Sequence, residues 1–404
     1  MKYSAPEVMQ YVEEEDVKFI RLAFCDVFGR QKNVSVMPGE LARAFDEGIA
    51  VDASAIAGFG DEASSDLFLR PDPSTLAVLP WRPEHGRVVR MYCDIVRPDG
   101  TTFPCDTRQI LKTAVHHAEE AGVEFKIGSE LEFYLFQTDA EGRRTNIPYD
   151  RAGYMDIAPE DRGENVRREI CLTLEQMGIM PESSHHEEGP GQNEIDFRYS
   201  DPLAAADNAM TFRTVVRTVA GRNGLVADFS PKPLAECPGS GFHINISANR
   251  HNGDDLMPNL IAGVLGEIRP LTVFLNPTEE SYLRFGANKA PQWISWSRGN
   301  RSQLIRVPAA MREEYRRAEL RSPDPTANPY LAFALLIEAG LHGILKELTP
   351  PEETKINLYT ASTEILAGFE RLPETRAEAV AAMRESDFVR RILPEEIIEL
   401  YAKN

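Results

Sequence analysis

Cysteine is scarce. The 404-residue chain has five, Cys25, Cys93, Cys105, Cys171 and Cys237, an odd number, widely spread and without a C-x-x-C pair. This excludes a disulfide framework and a zinc site built on thiolates, and it suits a reducing cytoplasm. Positive charge is also short: 44 Lys and Arg stand against 63 Asp and Glu, a net −19, which repels nucleic-acid backbones and anionic membranes. Neither partner is expected. Long apolar runs are missing, since the most apolar window, Tyr330 to Leu345, is broken by Glu338 and His342. The first residues, through Asp16, hold no basic stretch followed by an apolar one. No membrane span or signal peptide is therefore expected. There is no internal repeat, P-loop lysine signature, G-x-G-x-x-G after a strand, G-x-S-x-G or H-E-x-x-H.

What is present reads as an ordinary globular chain, 42% apolar and 26% charged, long enough to bury a core without staples. Ser4-Ala-Pro6-Glu7 opens a helix that stops near Asp16, and two β-rich runs, Val17 to Asp26 and Gln31 to Met37, flank a glycine turn at Gly29. Pro38 to Gly48 reads as a helix, and Leu76 to Leu79 with Gly86 to Ile95 as further strand. Together these predict a small α+β domain over 1–104. From 105 to 404, helices at Asp106–Gly122, Asn165–Met177, Ala204–Asn223, Asn259–Thr272 and Pro329–Glu347 alternate with short strands, predicting a larger α+β domain.

Acids recur at strand spacing. In Gly128-Ser-Glu130-Leu-Glu132-Phe, the two glutamates point to one face of a strand, a pattern that alone fits a solvated sheet face as well as a cation site. His185-His186-Glu187-Glu188 and Gln192-Asn193-Glu194 bracket a Gly-Pro-Gly turn. Gly239-Ser-Gly-Phe-His243-Ile-Asn245-Ile-Ser247 alternates strictly, and Glu319 stands beside Arg321 on a polar strand face. Five carboxylates with one imidazole suit hard divalent cations, Mg²⁺ or Mn²⁺. Arg298, Arg301, Arg306, Arg312, Arg316, Arg317 and Arg321 concentrate guanidinium groups in an acidic protein, which suits phosphate and carboxylate; alone, they fit a solvated helix face equally well.

In this order, Glu130-Leu-Glu132, His185-His-Glu187 with Gly191-Gln-Asn-Glu194, Gly239-Ser-Gly-Phe-His243, Asn300-Arg301-Ser302 with Ile305-Arg306, and Glu319-Leu-Arg321-Ser-Pro-Asp-Pro-Thr-Ala-Asn-Pro-Tyr330 resemble the type I glutamine synthetase family over nearly the whole chain. The resemblance implies a β-grasp-like N-terminal domain and a catalytic domain with a curved antiparallel sheet, assembled into a ring whose active sites lie between subunits. It implies an ATP-dependent ligase that forms a γ-glutamyl phosphate from glutamate or a close analogue, then an amide with ammonia or another amine. By motif, Glu132, Glu187 and Glu194 would hold one ion and Glu130, His243 and Glu319 a second. Gly239, Arg284, Arg301 and Arg321 would lie on the substrate side and Glu182, Ser247, Arg306 and Arg317 on the nucleotide side. Tyr154 would lie near the ammonium pocket, with Asp52 supplied by a neighbouring subunit.

The departures bear on the acceptor. Alanine stands at 53 and 55 around Asp52, proline at 238, and Lys289 occupies the place where the family carries a glutamate that attracts ammonium. A tethered ammonium there is expected to repel a free one by roughly 4 kcal/mol at about 4 Å and an effective dielectric near 20. An acceptor amine other than ammonia is therefore expected. The alternative is a catalytically impaired, ring-forming relative that binds and regulates, although such a protein has no physical need of five clustered carboxylates. Tyr359 resembles a tyrosine that some relatives adenylylate, but Thr-Ala-Ser follows it in place of an acidic, proline-rich run. That modification is not expected.

Overall fold

The computed structural model describes residues 3–61, 63, 65–82, 85–250, 253–286 and 289–403, apart from the side chain of residue 314. Helix α1 (Ala5–Glu14) starts where the Glu7 carboxylate accepts the Ser4 N–H at 2.7 Å, and the chain then turns through Asp16 at φ +49°. The N-terminal strands are β1 (Val17–Cys25), β2 (Gln31–Val36), β3 (Ile49–Asp52), β4 (Asp66–Pro71), β5 (Ala77–Val78) and β6 (Arg87–Val96). They form one six-stranded sheet in the order β2-β1-β6-β4-β3, with β5 also on β6 and with β1 parallel to β6. The β1–β2 turn needs Gly29: its φ is +74°, and a Cβ would approach the Asn328 backbone to 2.9 Å. The helix expected over Pro38 to Gly48 is shorter, a 3₁₀ turn at Pro38–Glu40 followed by α2 (Leu41–Asp46). Strands β3 and β4 are additions to the sequence reading.

The second sheet comprises β7 (Glu124–Thr138), β8 (Arg144–Pro148), β9 (Pro181–His186), β10 (Gln192–Ser200), β11 (Leu225–Asp228), β12 (Phe242–Asn249), β13 (Trp296–Arg298), β14 (Ile305–Val307) and β15 (Ala318–Leu320). It is curled and nine-stranded, in the order β13-β14-β15-β12-β7-β10-β9, antiparallel except for the pair β13 and β14. One edge of β7 pairs first with β12, from Glu124 to Leu131, and then with β11, from Tyr134 to Gln137. Glu132 sits at the handover, where its N–H donates to the Gly241 carbonyl at 3.0 Å.

Alternation along β7 sends Leu131, Phe133 and Leu135 into an apolar layer and Glu130 and Glu132 to the opposite face. The layer is built by α3 (Thr107–Glu120), α4 (Glu164–Gln176), α5 (Pro202–Arg222), α6 (Met257–Leu275) and α7 (Pro329–Leu345). Short helices α8 (Thr363–Leu366), α9 (Arg376–Glu385), α10 (Asp387–Ile392) and α11 (Glu395–Lys403) close the chain. Helices α6 and α7 cross at bare backbone, because a Cβ on Gly343 would lie 2.1 Å from the Asn259 carbonyl. Arg108, at the start of α3, bonds Asp94 (2.8 Å) and Asp72 (2.8 Å) of the N-terminal region and Asp207 of α5 (3.0 Å). Among the described residues no helix is long and apolar enough to cross a membrane.

Candidate active site

The register of the large sheet assembles the acids. Glu132 pairs with Glu194, and Glu130 has Asp196 on one side and His243 on the other. Strands that alternate in phase thus present five polar side chains to one face from three neighbouring strands. They line a cavity of about 450 Å³. A larger cavity, about 690 Å³, lies between α3, α7 and α10, but its walls include Phe103, Ile110, Leu341 and Phe388 and bring no acid cluster together.

Each acid is held by specific partners. Glu132 Oε2 accepts from Gln192 Nε2 (2.8 Å) and the Gly241 N–H (2.9 Å), while Glu130 Oε1 accepts from Asn245 Nδ2 (2.8 Å). His243 Nδ1 lies 3.3 Å from Glu130 and 3.8 Å from Glu319. Glu319 is 1% exposed, and its two oxygens accept from Arg306 and Arg321, both at 2.7 Å. Glu319 and Arg321 therefore share a buried ion pair, where a polar strand face was expected. The glycines are steric: a Cβ on Gly239 would fall 2.6 Å from Arg284 Cγ, and one on Gly241 2.8 Å from His243 Nε2.

Crowding perturbs the carboxyls. Burial, reinforced by neighbouring Asp196 and Glu132, pushes Glu194 well above the usual range; burial and Glu132 raise Glu187 to about 7, and burial and Glu130 raise Asp196 to about 7. Burial also opposes ionisation of Glu130, but His243, Asn245 and Arg321 outweigh it and bring that carboxyl down to about 2. Unneutralised acids of this kind fit divalent cations. Ligand atoms converge within 4.8 Å in the sets Glu130–His243–Glu319, Glu132–Glu194–His243, His185–Glu187–Glu194 and Glu130–Glu194–Asp196. Glu132 and Glu187 each group with Glu194, through different histidines. His185 and Asp196 are donors that the sequence reading passed over, although Asp196 follows Glu194 at the spacing already noted for Glu130 and Glu132.

The arginine run divides. Arg301, Arg306, Arg317 and Arg321 line the cavity with Arg284, whereas Arg298 pairs with Glu353 and Arg316 with Asp255. Arg284 is 3% exposed and spends NH1 on the Ser322 carbonyl at 2.9 Å. Tyr154 and Lys289 stand at the cavity mouth, and Lys289 Nζ makes an ion pair with Glu188. The excess positive charge expected there is thus compensated by a neighbouring acid. Glu182 on β9 and Ser247 on β12 lie outside the cavity lining, and Asp52 is exposed at the end of β3, its carboxylate bonded to Ser54 (2.7 Å). Within one chain Asp52 does not join the acids.

Family models for "Glutamine synthetase, beta-Grasp domain" and "Glutamine synthetase, catalytic domain" match residues 16–98 and 104–404. The chain is 43% identical to a glutamine synthetase of Clostridium saccharobutylicum, covering 99% of this chain and 94% of the relative. It is 44% identical to one of Methanosarcina mazei, covering 98% and 92%. A solved "GmaS/ADP complex" superposes with a TM-score of 0.88 at 30% identity, covering 98% and 94%. A Plasmodium falciparum glutamine synthetase shares the fold, with a TM-score of 0.87 at 23% identity over 100% and 95%.

Proposed function

The chain belongs to the glutamine synthetase family of ligases, and we propose that it activates the side-chain carboxylate of glutamate with ATP and joins it to an amine other than ammonia. The observation that carries the ligase reading is one cavity holding a crowded set of acids, two imidazoles and five arginines, and Lys289 at its mouth supports the choice of an amine other than ammonia. Glu132, Glu187 and Glu194 would hold one ion and Glu130, His243 and Glu319 another. When bound, such ions neutralise the triphosphate and the charge that develops during transfer.

The chain's own residues do the rest. Arg284 and Arg321 grip the α-carboxylate of the acid beside Gly239, with Arg301 reaching the transferring phosphate and Glu182, Ser247, Arg306 and Arg317 facing the nucleotide. A carboxylate oxygen of glutamate attacks the γ-phosphorus, and ADP leaves. The ammonium form of the amine first gives a proton to a carboxylate, for which Asp52 of a neighbouring subunit in a ring is the candidate; the free amine nitrogen then attacks the acyl carbon, and inorganic phosphate leaves with the second proton from nitrogen. The ADP held by the GmaS structure supports the nucleotide assignment. A second reading, ammonia as acceptor, is favoured by the name of the two curated relatives, glutamine synthetase. Measuring ADP release with glutamate and Mg²⁺ against ammonia and a panel of amines tests both. Turnover highest with an alkylamine supports the proposal, and turnover highest with low-millimolar ammonia replaces it with the second reading.

A further inference from the structure

Seated in the mouth of the cavity is an ammonium group that belongs to the chain itself. Lys289 Nζ pairs with Glu188 Oε1 and lies 5.4 Å from the centroid of the Tyr154 ring. That ring meets His185 edge-on at 5.4 Å. Glu188 sits in the turn between β9 and β10, its N–H donating to Glu187 Oε2 at 3.0 Å. Lys289 adopts φ +66°, a left-handed backbone that non-glycine residues seldom take. A carboxylate beside an aromatic face is the chemistry that binds an alkylammonium. The Lys289 side chain, a primary ammonium on a four-carbon stem, is such a group.

We propose that Tyr154 and Glu188 form the acceptor subsite, that it takes primary alkylamines, and that Lys289 is a tethered competitor that the incoming alkylamine displaces. In the single chain Lys289 and Glu188 are 49% and 39% exposed, and exchanging the partner of such an ion pair costs little. An alkylamine replaces the ion pair with Glu188 and also lays its alkyl group against the Tyr154 ring, over which Lys289 Nζ now stands. Ammonium ion replaces only the ion pair. The acid that the family's pattern carries at position 289 is here offered from position 188, on the opposite side of the mouth.

The inference builds on the ligase reading, but binding tests it separately from turnover. Calorimetry would be run with glutamate, Mg²⁺ and a non-hydrolysable ATP analogue, titrating ammonium chloride and n-alkylamines from methylamine to pentylamine. The wild type is expected to bind alkylamines more tightly than ammonium. Glu188→Gln should weaken alkylamine binding about tenfold, and Lys289→Met should tighten it about tenfold, with glutamate affinity unchanged in both. Residues that merely shaped the rim would shift amine affinity in the same direction in both variants. Shifts of one sign, no shift, no amine binding, or ammonium binding as tightly as every alkylamine would each overturn the proposal. Alkylamine binding that follows the expected pattern without any ADP release would leave the subsite standing and remove the ligase reading.

Discussion

The floor and the mouth of the same cavity are built differently. On the floor, Glu319 and Arg321 are 1% and 2% exposed and stand on or beside a sheet strand, whereas at the mouth Tyr154 is 47% exposed and Lys289 sits on a loop. Sheet register fixes which face the floor residues take, since slipping one residue would turn every acid to the apolar side. Turns hold the mouth, and turns tolerate substitution. On the proposed assignment, the demanding step, phosphoryl transfer, falls to the sheet-borne part of the site and the choice of acceptor to the part that is cheap to change.

The sharpest way to break this contrast is Glu319→Ala, which strands Arg306 and Arg321 in the interior. We expect ADP release to fall on the order of 10²–10³-fold and unfolding stability to drop about 3 kcal/mol, read by denaturant melts. A floor residue that could be removed without either loss would mean that the ion pair is not central to the site.

Next in size is the pH dependence of the metal-free protein. Glu187 and Asp196, held near pKa 7 when folded, keep protons that the unfolded chain releases near pH 4, so the folded state binds more protons between those values. Their contribution to stability is greatest below about pH 4 and is lost as pH rises toward 7, by on the order of 3 kcal/mol for each group. Mg²⁺ should flatten that slope. Melting temperatures that show the same slope with and without Mg²⁺ would separate these acids from any metal.

At the mouth the effects are smaller. Lys289→Glu should shift the ratio of kcat/KM for ammonia to that for an alkylamine about tenfold toward ammonia, with KM for glutamate unchanged. In randomly mixed rings of Asp52→Ala and Glu319→Ala subunits, about a quarter of the junctions join two intact halves, so activity should recover to about a quarter of wild type. No recovery in verified mixed rings would place Asp52 outside the shared site.

The same contrast explains what could be read from the chain. Alternation at Glu130–Glu132 and at His243–Asn245–Ser247 was legible, because period two is a local property and both runs are strands of the sheet. Pairing between strands was not legible: that Asp196 faces Glu130 depends on the register of β10 against β7. The partnership of Lys289 with Glu188 spans 101 residues and two turns, and neither turn carries a pattern that points to the other. Arg298 and Arg316 looked like Arg301 and Arg321 in sequence, and only the fold sent them to Glu353 and Asp255 instead. The strands β3, at a sheet edge, and β4, between β3 and β6, are only four and six residues long and offer few repeats of the alternation.

Arg108 has a consequence for how the molecule comes apart. Its guanidinium is 4% exposed and is neutralised jointly by Asp72 and Asp94 on one side and Asp207 on the other, while the Tyr330 hydroxyl donates to Asp207 at 2.7 Å. Detaching the N-terminal sheet would remove two of its three carboxylate partners and uncover the pair that remains with Asp207. The cluster therefore couples the unfolding of the two sheets, because separating them breaks two buried charge-assisted contacts at once. A chain trimmed to its larger half would keep the Arg108–Asp207 pair at its first helix but lose the two acids that now enclose it.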